Sequence, residues 1–192
     1  MSSFTELLKD LYFSYLSKPA GDRQLYRHVR RQPFARFVEI GLTDLGRTQR
    51  LVALAQRLAP EVEIQYTGID MFEGREADSD GPSLTLKGTH QSLKAVGAKV
   101  KLVPGDAYSA LARTANSLSN IDLVLISAVT AEDTYQQASF YLPRMLHESS
   151  RVFREVTRDD EANGDAIKVE SHWEQISLSD IEQSSHSSRR AA

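Results

Sequence analysis

Apolar positions along the chain follow two rhythms, and the switch between them predicts the elements. Over residues 4–16 they fall at Phe4, Leu7, Leu8, Leu11, Tyr12 and Tyr15. That three-and-four spacing predicts a helix, capped by Ser3 or Thr5 and ended ahead of Pro19. Residues 22–31 predict a second short helix with Leu25, Tyr26 and Val29 inward, closed by Pro33. From Ala35 onward, short apolar runs alternate with longer amphipathic stretches. Residues 35–41 read as a strand ending in glycine, 45–58 as a helix stopped by Pro60, and 64–69 as a second strand ending at Asp70. A polar loop, 73–81, leads through Pro82 to a helix over 83–96, with Gly97 just past its end. A strand at 100–103, a helix over 107–118 capped by Asp106, a strand at 121–126, a helix over 132–147 and a strand at 151–156 continue the alternation. The run Ile121-Asp122-Leu123-Val124-Leu125-Ile126 is nearly all apolar, as a strand covered on both faces requires.

Five strands alternating with helices predict an α/β fold: a doubly wound, mostly parallel sheet with helices on both faces. After Val156 the rhythm changes. Asn163-Gly164 is a turn signal, and 166–169 and 173–178 read as two strands with no helix between them, which predicts a C-terminal antiparallel hairpin at the sheet edge. The expected organisation is an N-terminal helical lid over 1–33, the α/β domain over 34–182, and a tail over 183–192 that lacks apolar anchors and is expected to be disordered.

Composition narrows the function classes. The 192 residues are 41% hydrophobic and 26% charged, which suits one core. No apolar run approaches the ~20 residues that span a membrane, no secretory signal opens the chain, and cysteine is absent. A cytoplasmic protein with no membrane partner is expected. The net charge of −3 gives no general pull toward nucleic acid, and the basic run Arg23, Arg27, His28, Arg30, Arg31 and Arg36 reads as a solvated helix face. Edge strands and tyrosine-rich helices are compatible with a homodimer.

In an open α/β sheet, ligands bind beyond the carboxyl ends of the strands. Those ends carry Glu39-Ile40-Gly41-Leu42-Thr43-Asp44, then Asp70-Met71, Gly105-Asp106-Ala107 and Ser127-Ala128. A dinucleotide turn needs a second glycine where Thr43 stands, and Asp44 would repel a pyrophosphate. An acidic edge suits instead a ligand rich in hydroxyl and amine donors. Asp44 and Asp106 could equally be helix caps.

The segments Phe37-Val38-Glu39-Ile40-Gly41, Tyr66-Thr67-Gly68-Ile69-Asp70, Val103-Pro104-Gly105-Asp106-Ala107 and Ile121–Ile126 together resemble the motifs of the class I S-adenosylmethionine-dependent methyltransferases, and Asp70-Met71-Phe72-Glu73-Gly74 is similar to a stretch of the macrocin-type O-methyltransferases. The resemblance implies a Rossmann-like sheet, S-adenosylmethionine as cofactor, and cofactor contacts at Glu39, Gly41, Thr43, Asp70, Met71, Asp106, Ala107 and Ser127. It implies that Asp70 takes the ribose hydroxyls and Asp106 the adenine amino group. The chain departs from the family in losing the second glycine of the turn and in carrying Ser127-Ala128 where metal-dependent relatives place an aspartate, so no metal is expected. No catalytic base is assigned: His90 and His172 are candidates to face the pocket, Tyr108, Glu132 and Tyr135 could line it, and His147 is expected late in a helix. The reading is a methyltransferase acting on a small molecule; the alternative is a catalytically inactive binding or interaction module of the same fold. A nicotinamide-dependent oxidoreductase is a third, weaker choice.

Overall fold

The computed structural model describes residues 4–75, 84–160 and 168–183, with side chains left aside at 158–160 and 168–170. The Asn163-Gly164 turn, most of the polar loop after Gly74, the start expected for the helix at Ser83, and residues 184–192 of the tail lie outside the described residues.

Six strands form one sheet: β1 (Arg36–Ile40), β2 (Gln65–Asp70), β3 (Lys99–Pro104), β4 (Ile121–Ile126), β5 (Leu146–Asp160) and β6 (Lys168–Ile176). Their order is β3-β2-β1-β4-β5-β6. The first five are parallel, and β6 runs antiparallel to β5, pairing Val152 with Ile176 and Glu155 with Trp173. Crossover helices are α3 (Leu45–Leu58), α4 (Leu86–Ala95), α5 (Ala107–Thr114), α6 (Glu132–Ser139) and the short α7 (Leu142–Met145), preceded by α1 (Phe4–Tyr15) and α2 (Arg23–Arg31). The sheet reads outward in opposite directions from the β1–β4 neighbours. This is the switch point where a crevice opens at the strand ends.

Each face of the sheet carries its own core. On one, Leu25, Tyr26 and Val29 of α2 join Phe37, Leu51, Val52, Leu93 and Trp173. On the other, Val38, Ile69, Leu111, Val124, Leu142 and Met145 pack together. Alternate residues of β1 and β4 serve opposite cores, which is why both strands are mostly apolar, with Glu39 and Asp122 the polar exceptions past their first residue.

The helix expected over 132–147 is two shorter ones. Pro143 stands in the first turn of α7 without a backbone N–H to give, and β5 already starts at Leu146, where the Ser150 hydroxyl accepts from the His147 amide and donates to Ile121 O. His147 therefore sits on a strand and not within a helix, its Nε2 3.1 Å from Asp122 Oδ1. Of the two strands expected at 166–169 and 173–178, the described residues 168–169 and 173–176 belong to one continuous β6, which ends at Ile176; 166 and 167 lie outside the described residues. His28 is half-buried against Phe153, with ring centroids 5.3 Å apart, so that part of the basic run is not a solvated face.

A second departure concerns α1. Its inward residues are mostly polar: Asp10 pairs with Arg57 of α3, the Ser14 hydroxyl donates to Asp10 O, and only Phe13 packs on the core, its ring 5.5 Å from that of Tyr26. Its other large apolar side chains point outward. No helix among the described residues is long and apolar enough to cross a membrane.

Candidate ligand-binding cleft

Backbone bonds between neighbouring strand ends build the site. The Gly41 amide donates to Ile69 O at 2.8 Å, the Gly105 amide to Asp70 O at 2.9 Å and the Ser127 amide to Ile40 O at 2.9 Å, so the turns after β1, β2, β3 and β4 meet at one edge. Gly41 has φ 75°, and a Cβ there would lie 2.9 Å from both Thr130 Oγ1 and Val129 Cγ2. Glycine is required twice over, by conformation and by space.

A cleft of about 180 Å³ opens at this edge, lined among others by Gly41, Asp70, Met71, Asp106, Ala107 and Thr130. Asp70 is buried at the end of β2. Arg75 holds it through Nη2, 2.8 Å from both carboxylate oxygens, and the same nitrogen donates to Leu42 O at 2.6 Å. The guanidinium thus bridges the end of β2 to the turn after β1. Asp106 caps α5, accepting from the Ser109 amide at 2.9 Å and from the Ser109 hydroxyl at 2.5 Å. That hydroxyl, with the amide behind it, holds the Asp106 carboxyl below its ordinary value.

Of the residues singled out from the sequence, Gly41, Asp70, Met71, Asp106 and Ala107 come together on the cleft. Glu39, Thr43 and Ser127 have side chains engaged elsewhere. Glu39 is fully buried beneath the turn, accepting from Arg47 at 3.1 Å, from the Thr48 hydroxyl at 2.7 Å and from the Tyr66 hydroxyl at 3.0 Å. Burial pushes the Glu39 carboxyl up, against the opposing pull of Arg47 and the Thr48 hydroxyl. Burial also raises the Tyr66 phenol well above its usual range, and the Glu39 charge adds to it. Thr43 Oγ1 accepts from Arg47 at 3.1 Å. Ser127 Oγ accepts from the Val129 amide at 3.2 Å. Asp44 caps α3 and pairs with Arg50, 3.2 Å away.

The candidate bases fall away from the cleft. His90 is exposed on α4, and His172 on β6 lies 3.0 Å from Glu174. Tyr108 is exposed near the Tyr141 ring, and Glu132 pairs with Arg154, which lies over the Tyr135 ring at 4.2 Å. No residue of α1 or α2 is among those lining the cleft. Among the described residues no group of three or more His, Asp or Glu could hold a metal ion. Sequence reasoning missed Arg75 and the cleft-lining Thr134. A basic residue one place past Gly74 was the available signal for Arg75.

No protein-family model matches the chain, and no curated protein does. Solved structures similar to it include methyltransferases. An O-methyltransferase family protein from Burkholderia thailandensis is 15% identical over 82% of this chain and 43% of its own, with TM-score 0.47. Phosphoethanolamine N-methyltransferase 2 of Haemonchus contortus, in complex with phosphomonomethylethanolamine and S-adenosylhomocysteine, is 15% identical over 97% of this chain and 42% of its own, with TM-score 0.45. A TehB-like S-adenosylmethionine-dependent methyltransferase from Corynebacterium glutamicum is 13% identical over 95% of this chain and 79% of its own, with TM-score 0.43. The chain spans less than half the length of the first two. Its architecture rests on its own strand order and register.

Proposed function

We propose that the cleft binds the adenosyl part of S-adenosylmethionine and that the chain directs methyl transfer to a small molecule. The observation that supports this is the meeting of Asp70 and Asp106, from the ends of neighbouring parallel strands, on one cleft beside a left-handed glycine. Carboxylates so placed accept from hydroxyl and amine donors, charge-assisted bonds of about 1.5–3 kcal/mol each. In this reading Asp70 takes the ribose hydroxyls, sharing its oxygens with Arg75 or releasing it. Asp106, fixed by Ser109, takes the adenine amino group, and Met71 and Ala107 supply apolar contact to the base. The donor set fits a nucleoside better than the methionine end, because Gly41 alone of the turn after β1 faces the cleft. When bound, the cofactor supplies an electrophilic methyl group. The chain's own part is to hold acceptor and methyl in line and to keep water out, with the Thr130 and Thr134 positions on the side facing the acceptor.

A second reading, a binding module without catalysis, is favoured by Arg75 closing over Asp70 and by the lack of any histidine, lysine or tyrosine among the described lining residues. Thermal unfolding in the presence of S-adenosylmethionine, S-adenosylhomocysteine or NAD separates the possibilities. A ligand at 100 times its Kd adds about 2.7 kcal/mol. Stabilisation by the first two and not by NAD supports the adenosyl site; no shift from any of them removes it. Formation of S-adenosylhomocysteine when small-molecule extract is added then divides the enzyme from the module.

A further inference from the structure

The outward face of α1 is the largest feature that neither the fold nor the cleft uses. Phe4, Leu7, Leu8, Leu11, Tyr12, Tyr15 and the following Leu16 are all exposed, Phe4 by 73% and Leu16 by 67%. At 100° per residue, Phe4, Leu8, Leu11 and Tyr15 fall within one narrow arc, about 130° around the helix from the inward Asp10, about 90° from Ser14 and nearly opposite Phe13, which packs against the core. Apart from Phe13, the helix turns polar residues to the protein and its apolar residues to water.

We infer that this stripe is the contact surface of a homodimer, in which α1 packs antiparallel against α1 of a second copy across a two-fold axis. The spacing is self-complementary. The seam runs in steps of four, three and four residues, and it reads the same reversed about the midpoint between Lys9 and Asp10. An antiparallel pair therefore sets Leu8 on Leu11 of the second copy and Phe4 on its Tyr15, each contact made twice, as an isologous interface demands. Leu7, Tyr12 and Leu16 flank the seam.

Size and charge favour this occupant over others. Taking about 200 Å² for a whole aromatic side chain, the seven exposures amount to roughly 600–700 Å² of apolar surface, beyond the largest patch of a typical monomer at ~300–600 Å². Two such stripes closing together reach the ~1,000 Å² that a specific interface needs. A helix lying on an anionic lipid surface carries lysines and arginines along its polar face. Here α1 holds Glu6, Lys9 and Asp10, and its polar face is already turned to Arg57.

The test is the molar mass of the whole chain in solution, by light scattering or sedimentation, for the parent, Leu8→Lys and Leu11→Glu. Both positions are exposed in the protomer, so each variant should fold with the parent's far-ultraviolet circular dichroism spectrum, while its midpoint falls only by the stabilisation that dimerisation gives the parent. The parent should have twice the 21.5 kDa of one chain. Each variant alone should dimerise at least tenfold more weakly, because both layers then set a charge on leucine. Mixing the two should restore a dimer, since one layer then sets the introduced lysine against the introduced glutamate and the other stays leucine on leucine. A parent that is monomeric at high micromolar concentration overturns the inference, and so do variants that dimerise as well as the parent. A mixture that fails to recover removes the antiparallel register. A monomeric parent that pellets with phosphatidylcholine vesicles assigns the stripe to a lipid surface instead.

Discussion

The chemistry of the cleft turns on which charges are already spoken for. Asp70 is nearly buried and held by both its oxygens, so Arg75 and any ribose compete for one carboxylate. Replacing Asp70 by Ala should weaken S-adenosylhomocysteine binding at least tenfold, read as a lost thermal shift. Replacing Arg75 by Ala leaves that carboxylate without its cation, which should lower the unfolding free energy of the free chain by about 3 kcal/mol. The same variant should show a larger ligand-induced shift than the parent. Tighter stabilisation identifies Arg75 as a competitor for the ribose position; a smaller shift would instead make it a ligand contact. Gly41→Ala combines a left-handed residue, at about 1–2 kcal/mol, with a Cβ driven against Thr130 and Val129. It should cost stability and abolish adenosyl binding together, in one denaturation series with and without ligand. The strand-end positions of Gly41, Asp70 and Asp106 were legible in the sequence because strand periodicity places them. The orientation of Glu39 was not. Its carboxylate is captured by Arg47, Thr48 and Tyr66, and those partners arrive from α3 and from the neighbouring β2, which only the assembled sheet brings together.

Among the elements, the strands buried on both faces announced themselves most clearly: 121–126 was read to the residue, and the first three parallel strands to within one. The last crossover was harder. Its apolar residues continue a helical period through Pro143, and the break comes from Ser150 drawing the chain into β5. The α2 helix was legible as a helix with Leu25, Tyr26 and Val29 inward, but the burial of His28 was not legible. It seats His28 between Phe153 and the charges of Arg151 and Arg31, and burial first, then those two cations, lowers the histidine pKa. The folded chain thus binds this proton less readily than the unfolded chain does. Stability from this site is complete above the unfolded value of about 6.5 and declines as pH falls through it. Between pH 7.5 and 5.5 the parent should therefore lose denaturation midpoint, and His28→Phe should lose less over the same range.

At the scale of the whole molecule, the doubly wound parallel sheet followed from the alternation of short apolar runs with amphipathic stretches, and its antiparallel end from the break in that alternation after Val156. Periodicity fixed that α1 is a helix; it carries no information about which side faces home. The answer lay in Asp10 and Arg57, a pair separated by 47 positions. One further link ties the two ends of the fold together. Trp173 on β6 is the sole tryptophan. Its indole N–H donates to Asp22 ahead of α2 at 3.1 Å, and the Arg47 guanidinium lies 4.7 Å over its ring. Intrinsic fluorescence is therefore a single-site reporter of the seam between the N-terminal helices and the sheet. If those helices detach before the sheet melts, emission should redden at lower denaturant than the loss of far-ultraviolet ellipticity; if the molecule opens as one unit, the two transitions will coincide.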